Sequence, residues 1–169
     1  MYGSTRNYTR LISFNRPADA TQYAVGDGVS DNTTSATSAS FAFNGVASGQ
    51  GCGGKIKSVV LYKSDQDQTG ADFDICFFDT QPANTGYEDN AAIAITDAEW
   101  KRCFGFVRLA ASLDAANVVT GDLYCKTNLD LPYQCLVNST SIYAVIVARG
   151  TYTPLSGETF TVTIGGEVG

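Results

Sequence analysis

The chain has 169 residues, a formal net charge of −6 and no histidine. This length fits one domain with its own core, and the excess of acids argues against nucleic acid or an anionic membrane surface as the main partner. The absence of histidine removes the most common general base and the most common metal ligand. We therefore expect a protein that is not an enzyme and that needs no cofactor or metal.

Residues 1–15 form a candidate N-terminal arm, which precedes a single β domain over 16–169. The first 16 residues carry three arginines and no acid, whereas residues 64–99 carry nine acids and no base. Aromatic and aliphatic side chains alternate with these arginines, and such residues are enriched at protein interfaces. We predict that the arm contacts another protein through Arg6, Tyr8, Arg10, Leu11 and Phe14. The alternative is that Leu11, Ile12 and Phe14 form a first strand and that the rest of the arm is disordered.

No apolar run is long enough for a transmembrane helix, and the first residues lack the apolar stretch of a secretory signal. We therefore expect neither a membrane location nor secretion. The five cysteines are an odd number and contain no C-x-x-C pair, which indicates reduced thiols. Three of them lie in strand-like segments and are expected to be buried and inert, namely Cys76, Cys125 and Cys135.

Short segments with alternating apolar and polar residues predict about eight β-strands. In chain order they lie at 41–46, 55–63, 72–78, 104–109, 122–127, 133–137, 142–149 and 159–164. No helical pattern of 10 to 15 residues alternates with them, which argues against a parallel α/β sheet. The sequence therefore predicts an all-β fold, an antiparallel jelly roll or β-sandwich.

Three of these segments carry more detailed expectations. In 72–78, Phe73, Ile75 and Phe77 should face the core while Asp72 and Asp74 face water. Segment 142–149 is apolar on both faces and should be a central strand. In 159–164, the side chains of Phe160, Val162 and Ile164 should point inward.

One short helix is predicted after Thr96. Thr96 and Glu99 have the spacing of a capping box, and Asp97 is placed where the helix dipole favours negative charge. We expect a two-turn connector, with Trp100 packed over the edge of the core.

The acidic segment 64–99 contains two arrangements of carboxylates that could bind a metal ion or catalyse a reaction. An EF-hand is rejected, because its last position would be Cys76 instead of glutamate. Asp65, Asp67 and Asp72 are favoured as a solvated hairpin tip, and a looser calcium-binding loop is the alternative. Asp72 and Asp74 have the spacing of a carboxylate pair, but any strand with outward acids shows that spacing, so catalysis is not the favoured interpretation. The glycine-rich segment 49–54 precedes a strand and opens no helix, so it predicts a turn and not a phosphate-binding loop.

A resemblance to a known family is carried by several short phrases. The segment 16–27 follows the pattern R-P-x-D-x-T-x-Y-x-x-G-D, and it resembles small structural proteins of tailed bacteriophages. Further similar phrases are Gly54-Lys55-Ile56 leading to Lys63-Ser64, Phe77 to Pro82, and Asp89-Asn90-Ala91-Ala92 before Thr96-Asp97-Ala98-Glu99. The similarity covers 16 to about 106. The phrases are expected to be structural, with Pro17, Asp19, Gly26, Asp27 and Gly28 shaping turns.

The resemblance implies a capsid cement, or decoration, protein with a jelly-roll fold on the outer surface of the virion, assembled in the host cytoplasm. Its expected partners are the major capsid protein and further copies of itself, as a dimer or trimer on the capsid. The alternative is a receptor- or carbohydrate-binding jelly-roll module of a phage fibre or tail. In that case Tyr87, Tyr133 and Tyr152 would be exposed and would stack on sugars.

Overall fold

Two antiparallel sheets pack against each other to form a β-sandwich. The computed structural model describes residues 6–37, 41–64, 71–111, 115–118 and 121–168, with the backbone alone for 115–118. These residues contain eleven strands and one short α-helix. The predicted fold class, an antiparallel β-sandwich, is confirmed. The additional strands are short or lie in the predicted arm, where the alternation is too brief or too mixed to identify them.

The larger sheet contains six strands. Its order is β1-β11-β4-β8-β7, and β9 also pairs with β4. The bounds are β1 Arg6–Asn15, β11 Thr159–Val168, β4 Gly53–Lys63, β8 Gly121–Lys126, β7 Ala115–Val118 and β9 Leu131–Gln134.

The smaller sheet contains five strands. Its order is β2-β10-β5-β6, and β3 also pairs with β10. The bounds are β2 Gly28–Val29, β10 Ile142–Ala148, β5 Phe73–Phe78, β6 Cys103–Leu109 and β3 Ala42–Phe43. Strand β10 is central, as its apolar sequence predicts, because β5 lies on one side and β2 and β3 lie on the other.

The core between the sheets is rich in aromatic rings. The ring of Phe73 lies 5.6 to 5.7 Å from the rings of Tyr124, Tyr152 and Phe160, each close to perpendicular. Edge-to-face contacts of this kind add about 0.5–1.5 kcal/mol to the stabilisation that burial alone provides. Phe160, Val162 and Ile164 are fully buried, which confirms the predicted inward face of β11.

Strand β5 is covered on both faces, so the prediction that Asp74 faces water is wrong. All six of its residues are buried, and Asp74 is only 2% exposed. The reason is that the outer face of β5 is covered by neighbouring side chains. Trp100 lies against the ring of Phe78, and arginines bond to Asp74.

Helix α1, Asp97–Trp100, is a single turn instead of the predicted two turns. The capping box is confirmed, because the Thr96 hydroxyl accepts from the Glu99 backbone N–H and the Glu99 carboxylate accepts from the Thr96 backbone N–H. Glu99 also accepts a hydrogen bond from the backbone N–H of Ala83 at 2.6 Å. The cap therefore fixes the turn to the preceding loop and positions Trp100.

The described part of the predicted arm is an edge strand. All ten residues of β1 pair with β11, from Arg6 opposite Val168 to Asn15 opposite Thr159. The alternative prediction of a first strand holds for Leu11, Ile12 and Phe14, but the strand already begins at Arg6, so residues 6–10 are paired where that alternative expected disorder. The physical reason is the period of two, which turns Tyr8, Ile12 and Phe14 into the core.

Candidate functional site

The five residues predicted to contact a partner all lie on β1, but the structure does not place them on one surface. Phe14 is buried and packs on the rings of Phe41 and Phe160, and Tyr8 is 9% exposed. Leu11 points outward and is 63% exposed. Tyr8 and Phe14 therefore hold the strand in place, while Leu11 and Arg6 are accessible.

Arg10 is exposed, but its guanidinium binds within the chain. It donates hydrogen bonds of 2.8 Å to the backbone carbonyls of Thr9, Asn44 and Gly45. Arg10 thus joins the edge strand to the turn that follows β3. Beside it lies a cleft of about 320 Å³ that Arg6, Gly45 and Val168 help to line.

A second surface lies on the outer face of the smaller sheet and was not predicted as a site. We call it the outer-sheet patch and define it by the side chains of Trp100, Phe106, Arg108 and Arg149 around Asp74. Phe106 is paired directly with Cys76 and Arg108 with Asp74, so both project from the same face of the sheet. Phe106 is 60% exposed and Trp100 is 37% exposed.

Asp74 holds the two arginines of the patch. Its carboxylate accepts from Arg108 Nε at 2.6 Å and Nη2 at 2.8 Å, and from Arg149 Nε at 2.6 Å. Burial by itself raises the pKa of Asp74, but the hydrogen bonds from Arg108 and Arg149 outweigh burial, and the pKa lies below its ordinary value. The carboxylate therefore stays charged and fixes the direction of both guanidinium groups.

A groove of about 240 Å³ runs between Trp100 and Arg149. Cys76, Ile93 and Val147 line its floor. A partner would meet an apolar floor, two aromatic rings and two guanidinium groups whose charge Asp74 partly offsets. Aromatic and arginine side chains are the residue types enriched at strongly binding points of protein interfaces. One sequence feature could have indicated this patch, namely the predicted strand 104–109, in which Phe106 and Arg108 share one face.

The carboxylates considered for chemistry have structural roles where they are described. Asp72 Oδ1 accepts from the backbone N–H of Ala111 at 2.6 Å, and Asp74 is neutralised by arginines. Asp65 and Asp67 lie outside the described residues. Within the described residues, no three His, Cys, Asp or Glu side chains come together as a potential metal site.

The prediction that Tyr87, Tyr133 and Tyr152 are exposed is wrong. They are 1%, 5% and 2% exposed, because each ring packs into the core. They cannot stack on a sugar in this conformation. The prediction of buried thiols holds for Cys76 and Cys135, whereas Cys125 on β8 is exposed.

The phrase at 16–27 forms a buried polar unit that we call the Arg16 staple, consisting of Arg16, Tyr23 and Asp89. Arg16 Nε donates to the Tyr23 hydroxyl at 2.8 Å, and Arg16 Nη2 donates to Asp89 at 2.9 Å. The Tyr23 hydroxyl donates to the other oxygen of Asp89 at 2.5 Å, and the Ser30 backbone N–H donates to it at 3.0 Å. The first phrase is thus bonded to the phrase that begins at Asp89.

Turns around the staple explain the remaining residues of the phrase. Asp19 accepts from the Thr21 backbone N–H, and Asp27 accepts from the Ala24 backbone N–H. Gly26 has φ +98°, a conformation that favours glycine. Gly28 does not shape a turn. Glycine is needed there because the backbone of Glu88 comes close, and a Cβ at this position would lie 2.6 Å from the Glu88 carbonyl oxygen.

In the part of the chain that the structure describes, no helix is long and apolar enough to cross a membrane. No family model matches the sequence, and no curated protein matches it. Two solved structures show low similarity. A chain of the cyanophage Pam1 capsid asymmetric unit is 12% identical with a TM-score of 0.36, over 100% of this chain and 89% of that chain.

A chain of the acid-stable capsid of Helicobacter pylori bacteriophage KHP30 is 11% identical with a TM-score of 0.31, over 97% of this chain and 93% of that chain. Both scores are too low to define the fold, which rests on the strand pairing described above.

Proposed function

We propose that this chain is a structural component of a tailed-bacteriophage virion and that it acts as a capsid cement protein. It would bind the outer face of the head and hold neighbouring major capsid subunits together, without catalysing a reaction. The proposal begins from the sequence resemblance over 16 to about 106. The Arg16 staple gives that resemblance a physical basis, because two separate phrases meet in one buried unit.

The outer-sheet patch is the observation that carries the cement role. It combines exposed Trp100 and Phe106 with two arginines whose directions are fixed by Asp74. Arginines already held in one conformation lose less side-chain entropy on binding than free ones do. A rigid aromatic and cationic surface on a sheet suits a protein partner that presents acidic side chains around an apolar contact.

Strand β1 supplies a second contact in this proposal. Leu11 and Arg6 are exposed on an edge strand, and edge strands commonly pair with other chains. Contact through β1 would serve either a capsid subunit or a second copy of this protein. Two modest contacts repeated over a shell give strong overall attachment through avidity.

Binding to purified capsids that lack this protein tests the proposal. When the purified wild-type protein is mixed with these capsids and the capsids are sedimented, we expect the protein in the pellet, in an amount that saturates as its concentration rises. Phe106→Ala combined with Arg108→Ala should weaken binding at least tenfold, because truncating central aromatic and arginine residues costs about 2 kcal/mol or more. Val137→Ala is the matched control, since Val137 is 81% exposed and lies outside the patch.

Strand β1 must be tested by point substitution. Deleting residues 1–15 would strip an edge strand from the sheet and leave one side of β11 unpaired. Leu11→Asp tests the outward face of β1 with the strand in place. If wild-type protein stays in the supernatant with capsids, the cement role is wrong. If the patch variant binds like Val137→Ala, the patch has no part in binding.

A further inference from the structure

Lys63, Asp122 and Glu158 form a charged triad inside the sandwich, apart from the outer-sheet patch. All three side chains have no exposed surface. Lys63 Nζ lies 3.2 Å from Asp122 Oδ2 and 3.4 Å from Glu158 Oε1. Lys63 on β4 is paired directly with Asp122 on β8, so the register of the sheet turns both side chains toward the same face.

The surroundings of the triad are aromatic. Lys63 Nζ lies 5.5 Å from the centre of the Tyr152 ring, which contacts Phe73. Phe160, paired directly with Lys63, belongs to the same group of rings. Such a site excludes water, and this strengthens charge interactions and raises the free energy of any charge that is not compensated.

The charges of the triad do not balance, because two carboxylates surround one ammonium group. Neither oxygen of Asp122 accepts a hydrogen bond of regular geometry from the described residues, although Nζ of Lys63 is close. Hydrogen bonds are what normally stabilise a buried carboxylate. Asp122 is therefore a carboxyl group with little support for its charge, held against a primary amine.

From this geometry we propose that Lys63 and Asp122 condense to a side-chain amide bond, with Glu158 as the catalytic proton carrier. The Lys63 ammonium gives one proton, through Glu158, to an oxygen of Asp122. The neutral Nζ then attacks Cγ of Asp122, and the C–N bond forms. Glu158 moves a second proton from Nζ to the same oxygen, the C–O bond breaks, and one water leaves.

The atoms and charges of this reaction balance without any added reactant. Two hydrogens of the ammonium and one carboxyl oxygen depart as water, and Glu158 ends as the carboxylate with which it began. The product carries no charge at Lys63 or Asp122. Holding the amine and the carboxyl group in contact makes the condensation effectively intramolecular, which removes the entropy cost of bringing the two groups together. The bond joins β4 covalently to β8.

The mass of the purified wild-type protein tests the proposal. Measured after reduction and denaturation, it is expected to be lower than the sequence mass by one water. Trypsin should release a branched peptide in which 58–101 is joined to 109–126, because acylated Lys63 is no longer a cleavage site. Glu158→Gln and Lys63→Arg should lose the branched peptide completely and regain the full mass of their sequences.

A wild-type protein of full sequence mass overturns the proposal, whether or not the variants fold. Loss of water with linear peptides also overturns it, because that result indicates a cyclised backbone aspartate elsewhere. A branched peptide that persists undiminished in folded Glu158→Gln refutes the role of Glu158 while the bond itself stands.

Discussion

Arg16 and Asp89 lie 73 residues apart in the chain and form an ion pair 2.9 Å long in which both side chains are fully buried. The Tyr23 hydroxyl lies between them as acceptor from Arg16 and donor to Asp89. Every polar group of this unit is therefore directed at another, which is the condition under which buried charges are tolerated. The unit connects the segment that follows β1 with the loop that precedes helix α1.

Removing one charge of this pair should destabilise the fold strongly. Asp89→Asn leaves the Arg16 guanidinium buried without its counter-charge, and we expect a loss of about 3–5 kcal/mol in the free energy of unfolding. Tyr23→Phe removes only the bridging hydroxyl and should cost about 1–3 kcal/mol. Urea unfolding followed by tryptophan fluorescence measures both values.

The control is a double variant, Arg16→Met with Asp89→Leu. Because no unpaired charge remains, it should lose clearly less stability than the sum of the losses measured for Arg16→Met alone and Asp89→Leu alone. Strict additivity, or an Asp89→Asn protein as stable as wild type, would contradict the buried pair.

The pairing of Asp74 with two arginines predicts a specific response to acid. Its pKa in the folded protein lies below the ordinary value of 3.8, so the pairing contributes stability at pH values above about 4 and loses it as pH falls through the folded pKa. Asp74→Asn should be about 2 kcal/mol less stable than wild type at neutral pH, since the arginines are partly exposed and solvent screens them. The difference should shrink progressively as pH falls from the ordinary pKa of aspartate through the lowered pKa of the folded protein.

Salt concentration distinguishes the stabilisation by Asp74 from that by charge pairs at the surface. Asp130→Asn is the control, because Asp130 pairs with Lys55 and Lys57 at the surface. In about 1 M salt, the contribution of Asp130 should vanish, whereas the hydrogen-bonded Asp74 should keep most of its effect. Unfolding curves at several pH values and two salt concentrations give the comparison. A constant deficit for Asp74→Asn across the acid range is the contrary outcome.

The cysteines should react with iodoacetamide in an order set by burial. Burial raises the pKa of Cys76 to about 12 and that of Cys135 to about 11, so little thiolate is present at neutral pH. Cys125 is exposed and should be alkylated first. Peptide mass spectrometry over time should show Cys76 and Cys135 labelled only when urea is added, and Cys125→Ser should lose the fast phase. Equal labelling rates for Cys76 and Cys125 would mean that β5 is not covered.

The strand pattern of the sequence predicts the β-sandwich, but it does not predict which side chains cover the outer face of each sheet. Alternation identifies which side of β11 faces the core, because one face of that strand is apolar. In β5 the acids suggested a wet face, yet Asp74 is buried by side chains from β6 and from the end of β10. Contacts between segments far apart in sequence leave no local signal, so this cover could not be predicted.

The outer-sheet patch could not be predicted from the sequence for a related reason. Arginines and aromatic residues are concentrated in the N-terminal segment and indicate an interface there, but Arg10 binds carbonyls of its own chain. Phe106 and Arg108 are ordinary residues of a strand until pairing places them opposite Cys76 and Asp74, which line the same groove as Trp100. The capping box, in contrast, was predictable because its two residues are three positions apart and act locally.

The position of β11 in the larger sheet has a consequence for biosynthesis. This strand comes last among the described strands, yet it lies between β1 and β4 and provides the pairing partner of both. During translation, β1 therefore lacks the strand with which it pairs in the described part of the chain until residues 159–168 leave the ribosome. Pairing across such a sequence distance is slow to form and exposes unpaired edges meanwhile. Strand β1 must therefore stay available for pairing until the synthesis of β11 is complete.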